Sequence, residues 1–224
     1  MQPTEKTTIT RLAKRGSHDT ETIHAILDEA LVCHVSYVLG GQPFIIPTGY
    51  CRIGNKIYLH GSVGSHFFRE LAKGTDVCVA VTLLDGLVLA RSAFHHSVNY
   101  RSVVVFGKTQ LVDNEEEKWL SLERFTEHMV PGRWAEVRQP DKSEMTKTMV
   151  VSIPLEEASA KIRTGGVSDD PEDMELDVWA GVLPLKLLPQ LPIADEYLKA
   201  GIKLPGYVEN YRKPPPTPSE GGGF

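Results

Sequence analysis

The chain has 224 residues, of which 41% are hydrophobic and 24% charged, and its formal net charge is -5. This length and composition are typical of one globular domain, and the negative charge disfavours nucleic-acid binding, which needs a basic face. No apolar stretch approaches about 18 residues and the first residues form no apolar signal segment, so we expect a cytoplasmic protein without a membrane span.

The first half of the chain predicts one helix and a meander of short strands. Residues 1–16 are polar and are expected to be flexible, whereas apolar residues at helical spacing predict a helix from Thr20 to Leu31. Pro47 inside an apolar strand indicates an edge, a bulge or a kink that faces a ligand. Short Gly-Gly and Gly-Asn turns favour antiparallel pairing of three strands, at residues 33–38, 43–50 and 56–60.

The second half adds further strands and two helices, at 65–73 and 115–129. Asp85-Gly86 is a hairpin signal that would end a strand at 76–84 and start another at 87–92. Further strands are expected at 100–111 and 148–153, with 158–163 pairing beside the last. Because strands and helices do not alternate regularly, a mainly β Greek-key barrel is favoured over a parallel sheet.

Composition also predicts how the chain is divided into segments. A main domain is expected over 17–190, an extension over 191–212, and a disordered Pro- and Gly-rich tail over 213–224. The acidic segment 165–177 is expected to be a solvated loop. Three cysteines without CxxC spacing lie in apolar, strand-like stretches, which predicts buried free thiols.

Two stretches place hydrogen-bond donors next to apolar strands. Ser62, Ser65, His66 and Arg69 surround the predicted start of a helix, and Arg101-Ser102 opens a later strand. Hydroxyl, amide and guanidinium donors in such places match the geometry of a phosphate. The chain is therefore expected to hold a small phosphorylated ligand, and the order of the pieces indicates a flavin.

The order of these motifs resembles that of the pyridoxamine 5′-phosphate oxidase-like FMN-binding split barrels, most of all the branch of flavin-nucleotide-binding and nitroimidazole-resistance proteins. The motifs are Ile46-Pro-Thr48, His60-Gly-Ser62, Gly64-Ser-His66 and, most specific, Tyr100-Arg-Ser-Val-Val-Val-Phe-Gly107. The resemblance covers roughly residues 15 to 190. It implies a six-stranded antiparallel split barrel that forms a homodimer, with FMN at the subunit interface.

The resemblance also implies roles for individual residues. The FMN phosphate would contact Ser62, Ser65, His66, Arg101 and Ser102, with Arg69 compensating for a neutral His66. The flavin ring would lie along Pro47, Thr48 and Gly49, and the partner chain would contribute Lys161, Arg163 or Trp179. The remaining cofactor-binding residues would be His60, Gly61 and Tyr100, and His60 would also be the catalytic proton donor.

These assignments imply an FMN-dependent oxidoreductase that takes electrons from reduced nicotinamide and acts on a small planar substrate. Structural roles are the alternatives: His60 as a strand-end residue, Arg101 as a surface arginine, and Trp179 as dimer core. A metal at His95-His96 is disfavoured because neighbouring strand residues point to opposite faces. Two other functions stay open, a haem-binding or haem-degrading split barrel with His60 or His95 as ligand, and a non-catalytic flavin carrier. Synthesis of pyridoxal phosphate is disfavoured, since no second phosphate clamp is evident near the C-terminus.

Overall fold

The computed structural model describes residues 1–211, so the predicted tail, residues 213–224, lies outside the described residues. The chain divides into two compact units. The first comprises residues 1–47, 76–107 and 155–187, and the second comprises 48–75, 108–154 and the described residues from 188 onward. Each unit has its own sheet and its own core.

Eleven strands and five α-helices lie in the described part of the chain. The helices are α1 (Thr20–Glu29), α2 (His66–Leu71), α3 (Glu115–Met129), α4 (Lys142–Lys147) and α5 (Gly206–Glu209). The strands are β1 (Gly16–Ser17), β2 (Val32–Leu39), β3 (Gln42–Gly49), β4 (Cys51–Ile53), β5 (Lys56–Ser62), β6 (Asp76–Leu89), β7 (Ser97–Lys108), β8 (Gln110–Leu111), β9 (Thr148–Pro154), β10 (Glu157–Arg163) and β11 (Gly181–Pro184).

The seven-stranded sheet has the order β1-β10-β7-β6-β2-β3, and β11 also pairs with β6. Its pairs β1–β10, β10–β7, β2–β6 and β11–β6 are antiparallel. Strand β3 lies at the edge, one of the three placements that Pro47 indicated, because proline cannot donate a ladder hydrogen bond. The core of this unit is formed by the apolar stripe of α1 and the inward-facing valines of the sheet, and its fully buried residues include Ile23, Leu27, Val35, Val79, Val103 and Val105.

The four-stranded sheet has the order β4-β5-β9-β8, and its three pairs are antiparallel. Its core contains Cys51, Tyr58, Val112 and Val150, against which Leu122 and Phe125 of α3 pack. The mainly β, antiparallel fold class is therefore confirmed. Cys33 and Cys51 are buried free thiols, as predicted, and burial raises the pKa of each to about 12. Cys78 is only partly buried.

Helices α1, α2 and α3 were predicted because their signals are local, whereas the short α4 and α5 were not. Helix α3 has the predicted bounds, and Asn114 caps it by accepting a hydrogen bond from the Glu117 amide at 2.8 Å. Asp19 caps α1 in the same way, by accepting from the Thr22 amide at 2.8 Å.

The hairpin expected at Asp85-Gly86 is wrong, because β6 runs unbroken through both residues. Two different partners stabilise its two ends: β2 pairs with residues 77–80 and β11 with residues 86–89. Asp85 is held by Arg101, and Gly86 lies against β11, where an added Cβ would be 3.1 Å from the Leu183 carbonyl oxygen. Long-range pairing therefore overrides the local turn signal.

The pairing expected between 148–153 and 158–163 is also wrong. Strand β9 lies between β5 and β8, whereas β10 pairs with β7 and β1 in the other sheet. The strand expected at 100–111 is likewise divided between the sheets as β7 and β8. The chain changes sheet at buried Thr109, whose amide donates to the Thr75 carbonyl at 3.0 Å.

The N-terminal segment, predicted to be flexible, makes specific contacts. Thr7 is buried, and Lys6 forms an ion pair with Glu157 at 3.2 Å. Exposed pairs of this kind contribute little stability, so flexibility of residues 1–16 stays a prediction. In the described residues no helix is both long enough and apolar enough to cross a membrane.

Candidate functional site

Four of the predicted donors share one turn of the second unit. Strand β5 ends at Ser62 and α2 begins at His66. The Ser65 amide donates to the Ser62 carbonyl at 2.9 Å, and the Val63 amide to the Lys147 carbonyl at 3.0 Å. Backbone bonds therefore fix the turn, which we call the Ser62–Arg69 turn, and it brings Ser62, Ser65, His66 and Arg69 together as predicted.

The two serines of this turn act as acceptors. Ser62 Oγ accepts from the Gly64 amide at 3.1 Å, and Ser65 Oγ accepts from the Phe68 amide at 3.5 Å. A serine hydroxyl has one O–H in addition to its lone pairs, so both side chains keep a donor for a ligand. His66 and Arg69 are exposed, and His66 Nε2 lies 3.8 Å from Glu70 Oε1.

Glycine is required at position 61 for packing. An added Cβ there would lie 2.2 Å from Cε2 of Phe68, a buried residue of α2. No real side chain tolerates that approach, so the Phe68 ring occupies the space that a side chain would need. This contact explains the glycine without a cofactor, and a cofactor role for Gly61 stays a prediction.

His60 lies in an apolar environment between β5 and α3. Its ring makes an edge-to-face contact with Phe125, with 4.3 Å between centroids. Burial lowers the pKa of His60 below its ordinary value, because the charged form loses its hydration. The imidazole is therefore largely neutral at pH 7, which is unfavourable for a proton donor and favourable for a metal ligand.

Arg101 is bound by two carboxylates of its own chain. Its Nε donates to Asp85 at 2.9 Å, one terminal nitrogen donates to Asp85 at 2.8 Å and to Glu29 at 2.7 Å, and the other terminal nitrogen bonds Glu29. These bonds, first those with Asp85 and then those with Glu29, raise the pKa of Arg101 further. The three side chains carry a net charge of -1. Phosphate binding by Arg101 stays a prediction, but it requires the carboxylates to release the guanidinium.

Arg101 and Ser102 point to opposite faces of the sheet, because side chains alternate along a strand. The face of Arg101 also carries buried Val103 and Val105, and Glu29 belongs to α1. The register of β10 places Lys161 opposite Ser102 and Arg163 opposite Tyr100, so these four share the other face. This alternation can be applied to the sequence alone, and it would have predicted that Arg101 and Ser102 lie on opposite faces and do not contact the same phosphate.

Arg163 and Lys161 bond backbone carbonyls of their own unit. Arg163 bonds Asn99 and donates to the Gly166 carbonyl at 3.2 Å, which fixes the start of the acidic segment. Lys161 Nζ donates to the Arg11 carbonyl at 3.3 Å. Both basic residues are therefore bonded within their own chain. Their predicted role, contact with the cofactor of a second chain, did not anticipate these bonds.

The acidic segment is not wholly solvated, which corrects the prediction for Asp169. Its side chain is 1% exposed and accepts from the guanidinium of Arg91 at 2.9 Å and from the Arg91 amide at 3.1 Å. A buried carboxylate needs such partners. The segment is thus attached to the end of β6 by an ion pair that the sequence pattern does not reveal.

The remaining predicted residues are Pro47, Thr48 and Gly49 of β3, and Trp179, which precedes β11. Pro47 is exposed on the edge strand, and Gly49 ends that strand. Thr48 Oγ1 donates to the Gly49 carbonyl at 3.3 Å. Trp179 is 68% exposed and its ring lies over Gly181, where an added Cβ would be 2.8 Å from the indole.

His95 belongs to a cluster of side chains of the types that bind metal ions. The spacing of these residues in the sequence did not predict the cluster. Ligand atoms of His95, Asp170 and Asp173 lie within 4.8 Å of one another, and His95 Nε2 is 3.0 Å from Asp170 Oδ2. The hydrogen bond from Asp170 raises the pKa of His95. The His95–Asp170 hydrogen bond gives these two side chains a partner in each other. His96 bonds the Ser92 carbonyl instead, so the two adjacent histidines have separate partners.

Comparison with known proteins relates this arrangement to flavoproteins. Residues 19–162 match the family model described as pyridoxamine 5′-phosphate oxidase. The flavocytochrome Anf3 from Azotobacter vinelandii is 36% identical, with a TM-score of 0.87 over 94% of this chain and 98% of that one. The FAD and haem binding protein from Mycobacterium smegmatis is 34% identical, with a TM-score of 0.83 over 87% and 96%.

A candidate 5-nitroimidazole antibiotic resistance protein from Bacteroides thetaiotaomicron is 21% identical, with a TM-score of 0.57 over 66% of this chain and 86% of that one. At that identity it supports the fold alone. No curated protein matches the chain. The split-barrel fold class and the family predicted from the motifs are confirmed.

Proposed function

This chain belongs to the pyridoxamine 5′-phosphate oxidase family, and on that premise we propose that it is an oxidoreductase that binds a flavin nucleotide. A bound flavin supplies hydride and single-electron chemistry, and the protein supplies binding and orientation. The sequence resemblance predicts FMN, whereas the relative from Mycobacterium smegmatis is described as binding FAD. Both flavins have a phosphate at the end of the ribityl chain, and the proposed contact is with that phosphate.

The Ser62–Arg69 turn is the observation that carries the proposal. It presents two hydroxyl donors, an imidazole and a guanidinium on a backbone whose conformation is fixed by hydrogen bonds. Side chains of these types bind a phosphate through charge-assisted hydrogen bonds. Arg69 rather than Arg101 is the guanidinium proposed to bind, because Arg101 is held by two carboxylates.

The proposal includes a homodimer. It places the flavin ring beside Pro47, Thr48 and Gly49. The partner chain contributes Lys161, Arg163 or Trp179. These assignments rest on the resemblance. Reduced nicotinamide as electron donor and a small planar substrate belong to the same proposal.

In the first experiment, bound flavin is released by acid and identified by chromatography, and reduced nicotinamide is added to the intact protein to bleach the flavin bands. A protein that neither retains nor takes up FMN or FAD would contradict the proposal.

Replacing Arg69 by alanine tests the phosphate contact. We expect the dissociation constant for FMN to rise about tenfold, which corresponds to roughly 1.4 kcal/mol, and that for riboflavin to stay constant. Lys73→Ala is the matched control, because Lys73 carries the same charge on the next turn but bonds Glu70 at 2.6 Å. Equal losses for FMN and riboflavin in Arg69→Ala would contradict a phosphate contact.

Haem binding in addition to flavin binding is a second candidate function. It is favoured by the two relatives above 30% identity, which are described as a flavocytochrome and as an FAD and haem binding protein. His60 has the properties of an iron ligand, because burial keeps it neutral and Phe125 provides an apolar wall.

His60→Ala separates these roles. We expect haem added to the wild-type protein to give a Soret band that this variant lacks, while flavin binding is retained. His34→Ala, which removes an exposed histidine of β2, is the control and should bind haem normally. A Soret band of full intensity in His60→Ala would exclude His60 as ligand, and full flavin turnover in the same variant would exclude it as catalytic proton donor.

A further inference from the structure

The segment before α5 exposes an unusual amount of apolar surface. We call residues 186–204 the C-terminal strap. It has no strand or helix, and eight of its large apolar side chains are between 47% and 96% exposed. They are Leu187, Leu188, Leu191, Ile193, Tyr197, Leu198, Ile202 and Leu204. Large apolar side chains exposed in this number indicate an interaction site.

The hydrogen bonds that join this region to the rest of the described chain lie on either side of the strap. Just before it, the Leu185 amide donates to the Asp85 carbonyl at 3.0 Å. After it, Tyr207 donates to Glu136 and the Tyr211 hydroxyl donates to the Met129 carbonyl at 2.7 Å. Between these anchors, the hydrogen bonds of the strap within the described residues join two of its own members, such as Ile202 and Lys199. These contacts hold the two ends of the strap, and its large apolar side chains are between 47% and 96% exposed.

A second apolar surface on the same chain is also uncovered. Residues 32–51, which include β2 and the edge strand β3, contain no Asp, Glu, Lys or Arg. Val38 and Ile45 are about three-fifths exposed, at 61% and 62%. Natural edge strands are usually protected by charges or by a covering element, because their free backbone groups pair with other chains. A single copy of this chain thus leaves two apolar surfaces in water.

We propose that the C-terminal strap packs on a second copy of this chain. This inference rests on the homodimer of the proposed function and names the segment that forms it. In a two-fold dimer every contact between the two chains occurs twice, so each chain's strap packs on the other chain in the same way. A standard interface buries roughly 800 Å² on each partner, and eight large apolar side chains supply an area of that order.

The composition of the strap disfavours a membrane as the occupant. Its charged residues are of both signs, with Lys186, Lys199 and Lys203 against Asp195 and Glu196. Segments that lie on membranes form amphipathic helices whose polar face is rich in basic residues. The strap has no helix, and its basic residues are offset by acidic ones. Apolar residues with few charges of mixed sign are instead typical of the core of a homodimer interface.

The test is the double substitution Leu191→Glu with Ile193→Glu in the full chain. Molar mass is measured by light scattering during size exclusion over a range of concentrations. We expect the wild type to have twice the 24.8 kDa mass of one chain. In the variant the dissociation constant of the dimer should rise about 100-fold or more, because two carboxylates would be buried without partners. Phe94→Glu, at a position 89% exposed outside the strap, is the control and should stay dimeric.

The outcomes separate the strap from the proposed function. A dimeric variant with an unchanged dissociation constant would overturn the role of the strap and leave the dimer intact. A monomeric wild type would overturn the dimer, and binding of that monomer to phosphatidylcholine vesicles would identify a membrane as the occupant. A dimer that depends on the strap but binds no flavin would support this inference and contradict the flavin proposal. Circular dichroism checks folding, and Leu187→Glu with Ile202→Glu gives a second, independent variant.

Discussion

Replacing Arg101 with alanine is expected to lower the free energy of unfolding by about 2 kcal/mol, between the values for exposed and for buried ion pairs. The reason is that Asp85 and Glu29 would lose their shared partner and face each other as uncompensated charges. Asp85 is partly buried in β6, where it cannot be fully solvated. The measurement is urea denaturation of the wild type and of the variant at pH 7.

Two controls make this result specific. Arg138 forms a similar bidentate pair with Glu144 but is 68% exposed, so Arg138→Ala should lose much less stability. Arg101→Lys keeps the charge but cannot bond both carboxylates with a planar fork, and it should fall between the wild type and Arg101→Ala.

The same variant decides the role of Arg101 in cofactor binding. If Arg101 only joins α1, β6 and β7, the affinity ratio of FMN to riboflavin should be the same in Arg101→Ala as in the wild type. A selective loss of FMN affinity, with little change in stability, would contradict the structural role. It would show that the carboxylates release the guanidinium when a phosphate binds.

Gly61→Ala should destabilise the second unit by about 3 kcal/mol, at the upper end for overpacking. The added methyl group would lie 2.2 Å from Cε2 of Phe68, and Phe68 is only 6% exposed, so its ring has little room to move. Thermal and urea unfolding followed by circular dichroism measure the loss. Because β5 leads into the Ser62–Arg69 turn, we also expect weaker flavin binding.

The control for this substitution is Gly64→Ala, three residues along the chain. A Cβ at Gly64 would meet only Ser62 Oγ, at 3.4 Å, so its effect should be small. Phe68→Leu in the Gly61→Ala background should recover part of the stability, because a smaller side chain leaves room for the methyl group. Equal destabilisation by both glycine substitutions would mean that backbone freedom, and not the Phe68 contact, requires glycine at 61.

Several features follow from the sequence alone, because their causes lie within a few residues. Apolar spacing and the Asn114 cap define α3, and Asp19 defines the start of α1. The Gly40-Gly41 turn separates β2 from β3, with both glycines at positive φ, where other residues are strained. The motif order also identifies the family, and the Ser62–Arg69 turn follows from a strand, a turn and a cap that are adjacent in the chain.

Tertiary structure alone decided the pairing of strands and the partners of charged side chains. Asp85-Gly86 has the composition of a turn, yet β2 and β11 hold it within one strand, and β10 pairs with β7 rather than with its neighbour β9. Arg101 meets Glu29 and Asp85, which are 72 and 16 residues away in sequence. Hydrogen bonds and ion pairs between distant residues depend on which surfaces the whole chain buries together, and local propensity contains no information about that choice.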